Sequence, residues 1–217
     1  MKKLLTIVMA ACCFIGTHAQ ETLLNNPDNH GYWGVRASLD ISCPGDMKIM
    51  GIGVDAFKNG AGFSIGGIYN APIVANFYIE PGLNLYYNTY SLSKLFKDEI
   101  KTSSASIRKF GMRIPVMAGY HFDFTPDAKV SVFTGPELEI GFTAKGHTKI
   151  GNTSTSESLY TDDGMNRVDC LWRLGAGVTF GNYYGSVSGA FGLANMFDID
   201  DVSLHENLVS ITLGYNF

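Results

Sequence analysis

Beyond residue 19 this 217-residue chain has no apolar run of 18 residues, so nothing there reads as a membrane-spanning helix, which needs about 20. Positive charge is also scarce: 16 Lys and Arg stand against 20 Asp and Glu, a formal charge of −4. Two of those lysines, Lys2 and Lys3, sit in an N-terminal stretch that reads as a removable leader, and no basic patch remains. That balance excludes a nucleic-acid partner. Of the four cysteines, Cys12 and Cys13 lie in the same stretch, and Cys43 with Cys170 is too few for a disulfide framework. Neither a glycine loop that would cradle phosphate nor a thiol metal site occurs, so no cofactor is expected.

What is present is dispersed. The hydrophobic fraction is 46%, yet mean hydropathy is only +0.07, so apolar residues must be finely interleaved with polar ones. Glycine is abundant, 25 residues against a usual share of about 7%. Finely mixed apolar residues, many glycines and many aromatics point to alternating strands.

At the N-terminus, Lys2 and Lys3 precede an apolar run from Leu4 to about Gly16, and Thr17-His18-Ala19 offers small residues where a signal peptidase reads. The expectation is a signal peptide over 1–19, cut after Ala19, then a polar flexible lead-in over 20–30 and a barrel domain over 31–217. A retained anchor is the alternative, against which the run is too short and too close to a cleavage site to be kept as a spanning helix. A lipoprotein modified at Cys12 is another, against which Cys13-Phe14-Ile15 continues the apolar run.

The last stretch, LVSITLGYNF, sets Val209, Ile211, Leu213, Tyr215 and Phe217 on one face and Ser210, Thr212, Gly214 and Asn216 on the other. Seven further stretches read the same way: Tyr32–Cys43, Gly62–Tyr69, Phe77–Tyr90, Ile107–Phe122, Lys129–Thr143, Arg167–Phe180 and Tyr183–Ala194. Pro81 is a warning within the third, since proline cannot donate to a ladder. Between them Pro44–Ala61, Ser91–Ser106, Ala144–Met165 and Asn195–Leu204 read as long loops, while Asn70–Asn76, Asp123–Ala128 and Gly181-Asn182 read as short turns.

Long and short connections alternate, as expected of an eight-stranded antiparallel up-and-down transmembrane β-barrel, all-β, with both termini on the short-turn, periplasmic side. Tyr32, Trp33, Tyr69, Phe77, Tyr120, Phe122, Phe180, Tyr183, Tyr215 and Phe217 all fall near that side, which suits a girdle at the membrane interface. The opposite strand faces carry Arg36, Asp40, Glu80, Arg113, Glu137, Glu139, Asp169 and Arg173 among Gly, Ser and Thr, and these eight are expected to form a polar network in a closed lumen. A soluble sandwich or lipocalin-like barrel would need a lysine-rich exterior, which is missing here. Arg113, Glu137 and Arg173 should lie at similar depth and meet. Cys43 and Cys170, on strands that are not neighbours, should stay unpaired.

The closing strand resembles that of bacterial outer-membrane barrels, which implies that Tyr215 and Phe217 carry an assembly signal read by the barrel-assembly machinery. More widely, Ala19-Gln20, Glu80-Pro81-Gly82-Leu83, Arg113-Ile114-Pro115 with Ala118-Gly119-Tyr120, and Gly214-Tyr215-Asn216-Phe217 resemble the PorT-like outer-membrane β-barrel proteins. The resemblance implies export to the bacterial outer membrane, contact with its lipid and, as in some members, an envelope or secretion protein as partner. It supplies no catalytic residues.

Two other chemistries have candidate residues in the loops. His147, His205, Asp201 and Ser203 are the types a rim-located lipid-modifying enzyme would use, but they follow no recognisable spacing. Asp198, Asp200, Asp201 and Glu206 could hold a hard cation, yet lack a calcium loop's spacing and read better as a solvated acidic loop. The expected function is that of a non-enzymatic outer-membrane barrel acting through its extracellular loops or within an envelope or secretion machine.

Overall fold

The strict alternation of apolar and polar residues resolves into one closed sheet. The computed structural model describes residues 30–45, 47–49, 52–54, 57–92, 104–125, 127–150, 153–160, 164–196 and 202–217. The leader expected over 1–19 and all of the lead-in but His30 lie outside the described residues. Eight strands make the wall: β1 Tyr32–Ser42, β2 Gly60–Val74, β3 Phe77–Leu92, β4 Ser104–Thr125, β5 Ala128–Ile150, β6 Val168–Phe180, β7 Tyr183–Gly192 and β8 Asn207–Asn216. Each pairs antiparallel with its sequence neighbours, and β8 returns to β1 with Gly34 opposite Asn216 and Ser42 opposite Leu208. Closure leaves the barrel sheet without a free edge along that seam.

The period-two pattern decides which way each side chain points. Along β1, Trp33, Val35, Ala37, Leu39 and Ile41 are exposed on the outer wall, while Gly34, Arg36, Asp40 and Ser42 are buried. The same division holds on the other strands, so the barrel is apolar outside and polar inside. That is the reverse of a water-soluble domain.

Three details differ from the sequence reading. The stretch Asn70–Asn76 is not all turn: β2 runs to Val74, and only Ala75 and Asn76 turn the chain, with Ala75 at a φ of 49°. Tyr32, counted with the outer aromatics, shares the inward parity of Gly34 and Arg36. The stretches read as loops also carry strands, because their Ser, Thr and Val residues find partners above the barrel. Val202–Ser203, Met47–Ile49 and Ile52–Val54 form a small sheet, Phe57–Lys58 pairs with β3, and Thr153–Ser158 pairs with the far end of β5. The prolines are absorbed: Pro81 faces Val116, Pro115 faces Glu137, and the pairing register runs on past both.

Aromatics ring the short-turn rim and line half of the other. At the short turns Trp33 packs on Tyr69 and Phe77 on Tyr120 (both 4.8 Å between centroids), and Tyr183, Tyr215 and Phe217 form an edge-to-face chain. At the long-loop end a second row crosses β2–β5: Phe63 lies opposite Tyr87, Tyr87 opposite Phe110, and the Phe110 ring is 5.7 Å from that of Phe142.

Above that rim the loops pack. Ala144, Tyr160, Met165, Met196 and Leu204 form a buried apolar cluster with Leu159 against it. Backbone bonds from Met165 to Leu159, Asn166 to Met196 and Met196 to Leu204 tie the segments together. Tyr160 lies against the inward-facing Gly141, where an added Cβ would strike its ring, and burial raises its hydroxyl above the ordinary value.

Candidate functional site

The interior is built from inward positions of all eight strands, and its charges fall into three connected groups. Nearest the short turns, Arg36 lies over the Tyr184 ring at 4.1 Å and places Nη2 3.8 Å from Glu80 Oε2. Asn70 donates to the same oxygen at 3.1 Å. Tyr78 stacks on His121 at 4.2 Å beside this group.

At mid-depth, Arg113 is the hub. Its Nη1 donates to Asp40 Oδ2 at 2.7 Å, and its Nε donates to Glu139 Oε2 at 2.8 Å. The same Nε stands 3.7 Å from Glu137, and the guanidinium covers the Tyr86 ring at 4.2 Å. Arg173 forks onto Glu137, Nε to Oε2 at 2.8 Å and Nη2 to Oε1 at 2.9 Å, and its Nη1 donates to Ser188 and Ser210. Ser210 in turn donates to Asp40 at 2.7 Å, joining the two arginine clusters. Cross-strand pairing explains the meeting: Arg113 faces Glu139, and Glu139 faces Asp169.

Toward the long loops, Lys109 Nζ bridges Glu139 at 2.6 Å and Glu206 at 2.7 Å. Tyr86 donates to Glu139, while Tyr90 and Asn88 donate to Glu206. Lys109, Arg113, Glu137, Glu139 and Glu206 are each at most 3% exposed. An ion left alone at that burial would be costly, so the multiplicity of partners is what makes the arrangement tenable. Leu171, Ala190 and Leu208 fill the neighbouring interior with a small apolar cluster.

All eight residues singled out from the sequence point inward, and Arg113, Glu137 and Arg173 meet around the Glu137 carboxylate. Asp169 is the outlier: it accepts from the Cys170 amide, and its second oxygen has no partner among the described residues. Sequence reasoning missed Lys109 and Glu206. Lys109 keeps the parity of Arg113 and could have been counted. Glu206 keeps the parity of Leu208 and Ser210 but lies before the stretch read as a strand. Its assignment to a solvated acidic loop is corrected here, because its carboxylate is wholly enclosed. Asp198, Asp200 and Asp201, the rest of that loop cluster, lie outside the described residues.

Of the residues weighed for a rim enzyme, His147 sits on the β5 extension and His205 precedes β8, two strands that do not pair. His205 Nδ1 is engaged by the Ala194 carbonyl. Asp201 lies outside the described residues, as does the Ser203 side chain. Tyr215 and Phe217 are on the outer wall, and the Phe217 amide donates to the Trp33 carbonyl at 2.8 Å, closing the seam. Cys43 and Cys170 are both free thiols. A cavity of about 70 Å³ remains between the first and second charge groups, lined by Arg36, Asp40, Glu80, Arg113, Glu137 and Arg173 among others. That is room for a few waters. The arrangement can brace the barrel wall from within.

Residues 19–198 match the family described as outer membrane protein beta-barrel domain. No curated protein matches the sequence. Among solved structures, the chain is similar to the attachment invasion locus protein Ail of Yersinia pestis crystallised with the heparin analogue sucrose octasulfate. Identity is 16%, 87% of this chain and 100% of that one are covered, and the TM-score is 0.44. It is similar also to Neisserial surface protein A (12%, 87% and 100%, TM-score 0.44). A third is the outer membrane protein OprG of Pseudomonas aeruginosa (11%, 86% and 96%, TM-score 0.44).

Proposed function

Because the chain belongs to the outer membrane protein beta-barrel domain family, we propose that this outer-membrane β-barrel is non-enzymatic, keeps its lumen closed, and acts through the packed surface of its long-loop end. One observation carries the reading: every strand of the wall sends polar groups inward, and Lys109, Arg113 and Arg173 are consumed by Glu139, Glu206, Asp40 and Glu137. Charges spent on one another do not line a conduit. Eight strands enclose an interior only wide enough for side chains to fill. The apolar cluster of Tyr160, Met165, Met196 and Leu204 ties the described parts of the β5–β6 and β7–β8 connections to each other, which suits a contact surface for a protein of the envelope or its secretion machinery.

In this reading the leader is cut after Ala19, both termini face the periplasm, the long loops face outward, and the chain is PorT-like. Tyr215 and Phe217 serve assembly by the barrel machinery. Planar bilayers containing the purified protein test the closed lumen: no steady conductance is expected, and large stable channels would overturn it. An epitope inserted at 151–152, accessible on intact cells while a tag ahead of residue 30 is not, tests the orientation.

A further inference from the structure

The outer wall carries a feature that the closed lumen does not explain. Directly above the aromatic row of Phe63, Tyr87, Phe110 and Phe142, the next outward positions are Thr89, Arg108, Lys145 and Ser158, each the cross-strand partner of the one before. Arg108 and Lys145 are both exposed and directly opposed. Like charges facing one another across a ladder are destabilising. The row above repeats the composition: Lys58 faces Ser91, Ser91 faces Ser106, Ser106 faces His147 and His147 faces Ser156. Neither row contains a carboxylate. Glu157, the nearest along the strand, alternates to the other face and pairs with Gly146.

We propose that this sector of β3–β5 binds the phosphate groups of an anionic, phosphorylated membrane lipid, resting on the reading that the aromatic row marks the membrane interface. Height supports the assignment. Two residues of strand climb about 7 Å, less with tilt, so the row of Arg108 and Lys145 stands within the headgroup layer that lies above the hydrocarbon, and the row of Lys58 and His147, about twice as high, stands at its outer edge. Chemistry supports it as well. A guanidinium fork and an ammonium on adjacent strands give charge-assisted bonds to phosphate oxygens, and the flanking serines add hydroxyl donors. The same anion relieves the repulsion between Arg108 and Lys145. The apolar wall and aromatic row beneath supply a bed for acyl chains, which a free phosphate would leave unused.

The test uses the full mature chain, reconstituted into phosphatidylcholine vesicles with or without diphosphoryl lipid A, re-extracted in mild detergent and assayed for retained lipid by native mass spectrometry. Retention of the phosphorylated lipid over phosphatidylcholine is expected. Arg108→Gln with Lys145→Gln should lower it about tenfold or more, since each cation near the surface attracts anionic lipid. Arg108→Lys should retain most of it, and excess inorganic phosphate should not displace it. Equal retention in the double variant, no preference over phosphatidylcholine, or displacement by inorganic phosphate would overturn the proposal. Gel migration before and after heating reports folding in each sample. If the unmutated chain does not fold into vesicles at all, the membrane-barrel reading itself falls. Should the double variant misfold, Lys58→Gln with His147→Asn, on the outer of the two rows, carries the same expectation in smaller degree.

Discussion

Glu137→Ala isolates the charge network most cleanly. In the intact barrel the Glu137 carboxylate takes two bonds from Arg173, at 2.8 and 2.9 Å, and stands 3.7 Å from Arg113. Truncation leaves Arg173 with the hydroxyls of Ser188 and Ser210 and no counter-charge in contact. Breaking a buried ion pair from one side costs about 3 to 5 kcal/mol, because the remaining ion stays desolvated. Even the lower figure is a hundredfold or more in the folding equilibrium. Glu137→Gln keeps shape and an acceptor and should cost less, while Glu137→Leu with Arg173→Met removes both charges and should recover most of the loss. The assay is guanidinium unfolding of the protein in lipid vesicles, followed by fluorescence of Trp33 and Trp172, with midpoint and slope compared across the four proteins. If Glu137→Ala unfolds with the unmutated protein, or if the double substitution is as damaged as the single, the pair does not carry the stability assigned to it.

Other outcomes follow from the same geometry. Lys109→Met should destabilise more than Arg36→Met in that unfolding assay: the former removes two ion pairs at 2.6 and 2.7 Å and leaves Glu206 with neutral donors only, whereas Arg36 stands 3.8 Å from Glu80, which keeps Asn70 as a donor. Titration of the denatured, unreduced mature chain should count two free thiols, and a count near zero without dimerisation would contradict the strand order that separates Cys43 from Cys170. Phe217→Ala should change stability by less than Glu137→Ala does, because the ring is 71% exposed on the outer wall and its loss leaves no buried charge unpaired. It should instead slow insertion in cells, measured by pulse-chase, and an unaffected rate would remove the assembly role given to the last strand.

Alternation along each strand was enough to divide the wall from the lumen, because a period of two needs no knowledge of neighbours. For that reason the strand set, the closing segment and the inward sense of Arg36, Asp40, Glu80, Arg113, Glu137, Glu139, Asp169 and Arg173 were all readable from local sequence. What meets what inside depends on the stagger between strands. Lys109 reaches Glu206, nearly a hundred positions away in the chain, only because β8 closes on β1 with its approach segment folded in over the lumen. Strand ends escaped the sequence reading for a related reason. Polar Ser and Thr stretches such as Thr153–Ser158 show no apolar face, so only a partner strand makes them extended. A bulge at Phe142 shifts parity on β5, which sets Phe142 beside Thr143 on the outer wall and turns Ala144 into the cap. Composition and periodicity thus determined which face each residue takes. Closure and register, set by long-range hydrogen bonding between distant segments, decided which charges would neutralise each other and which would be left exposed on the outer wall.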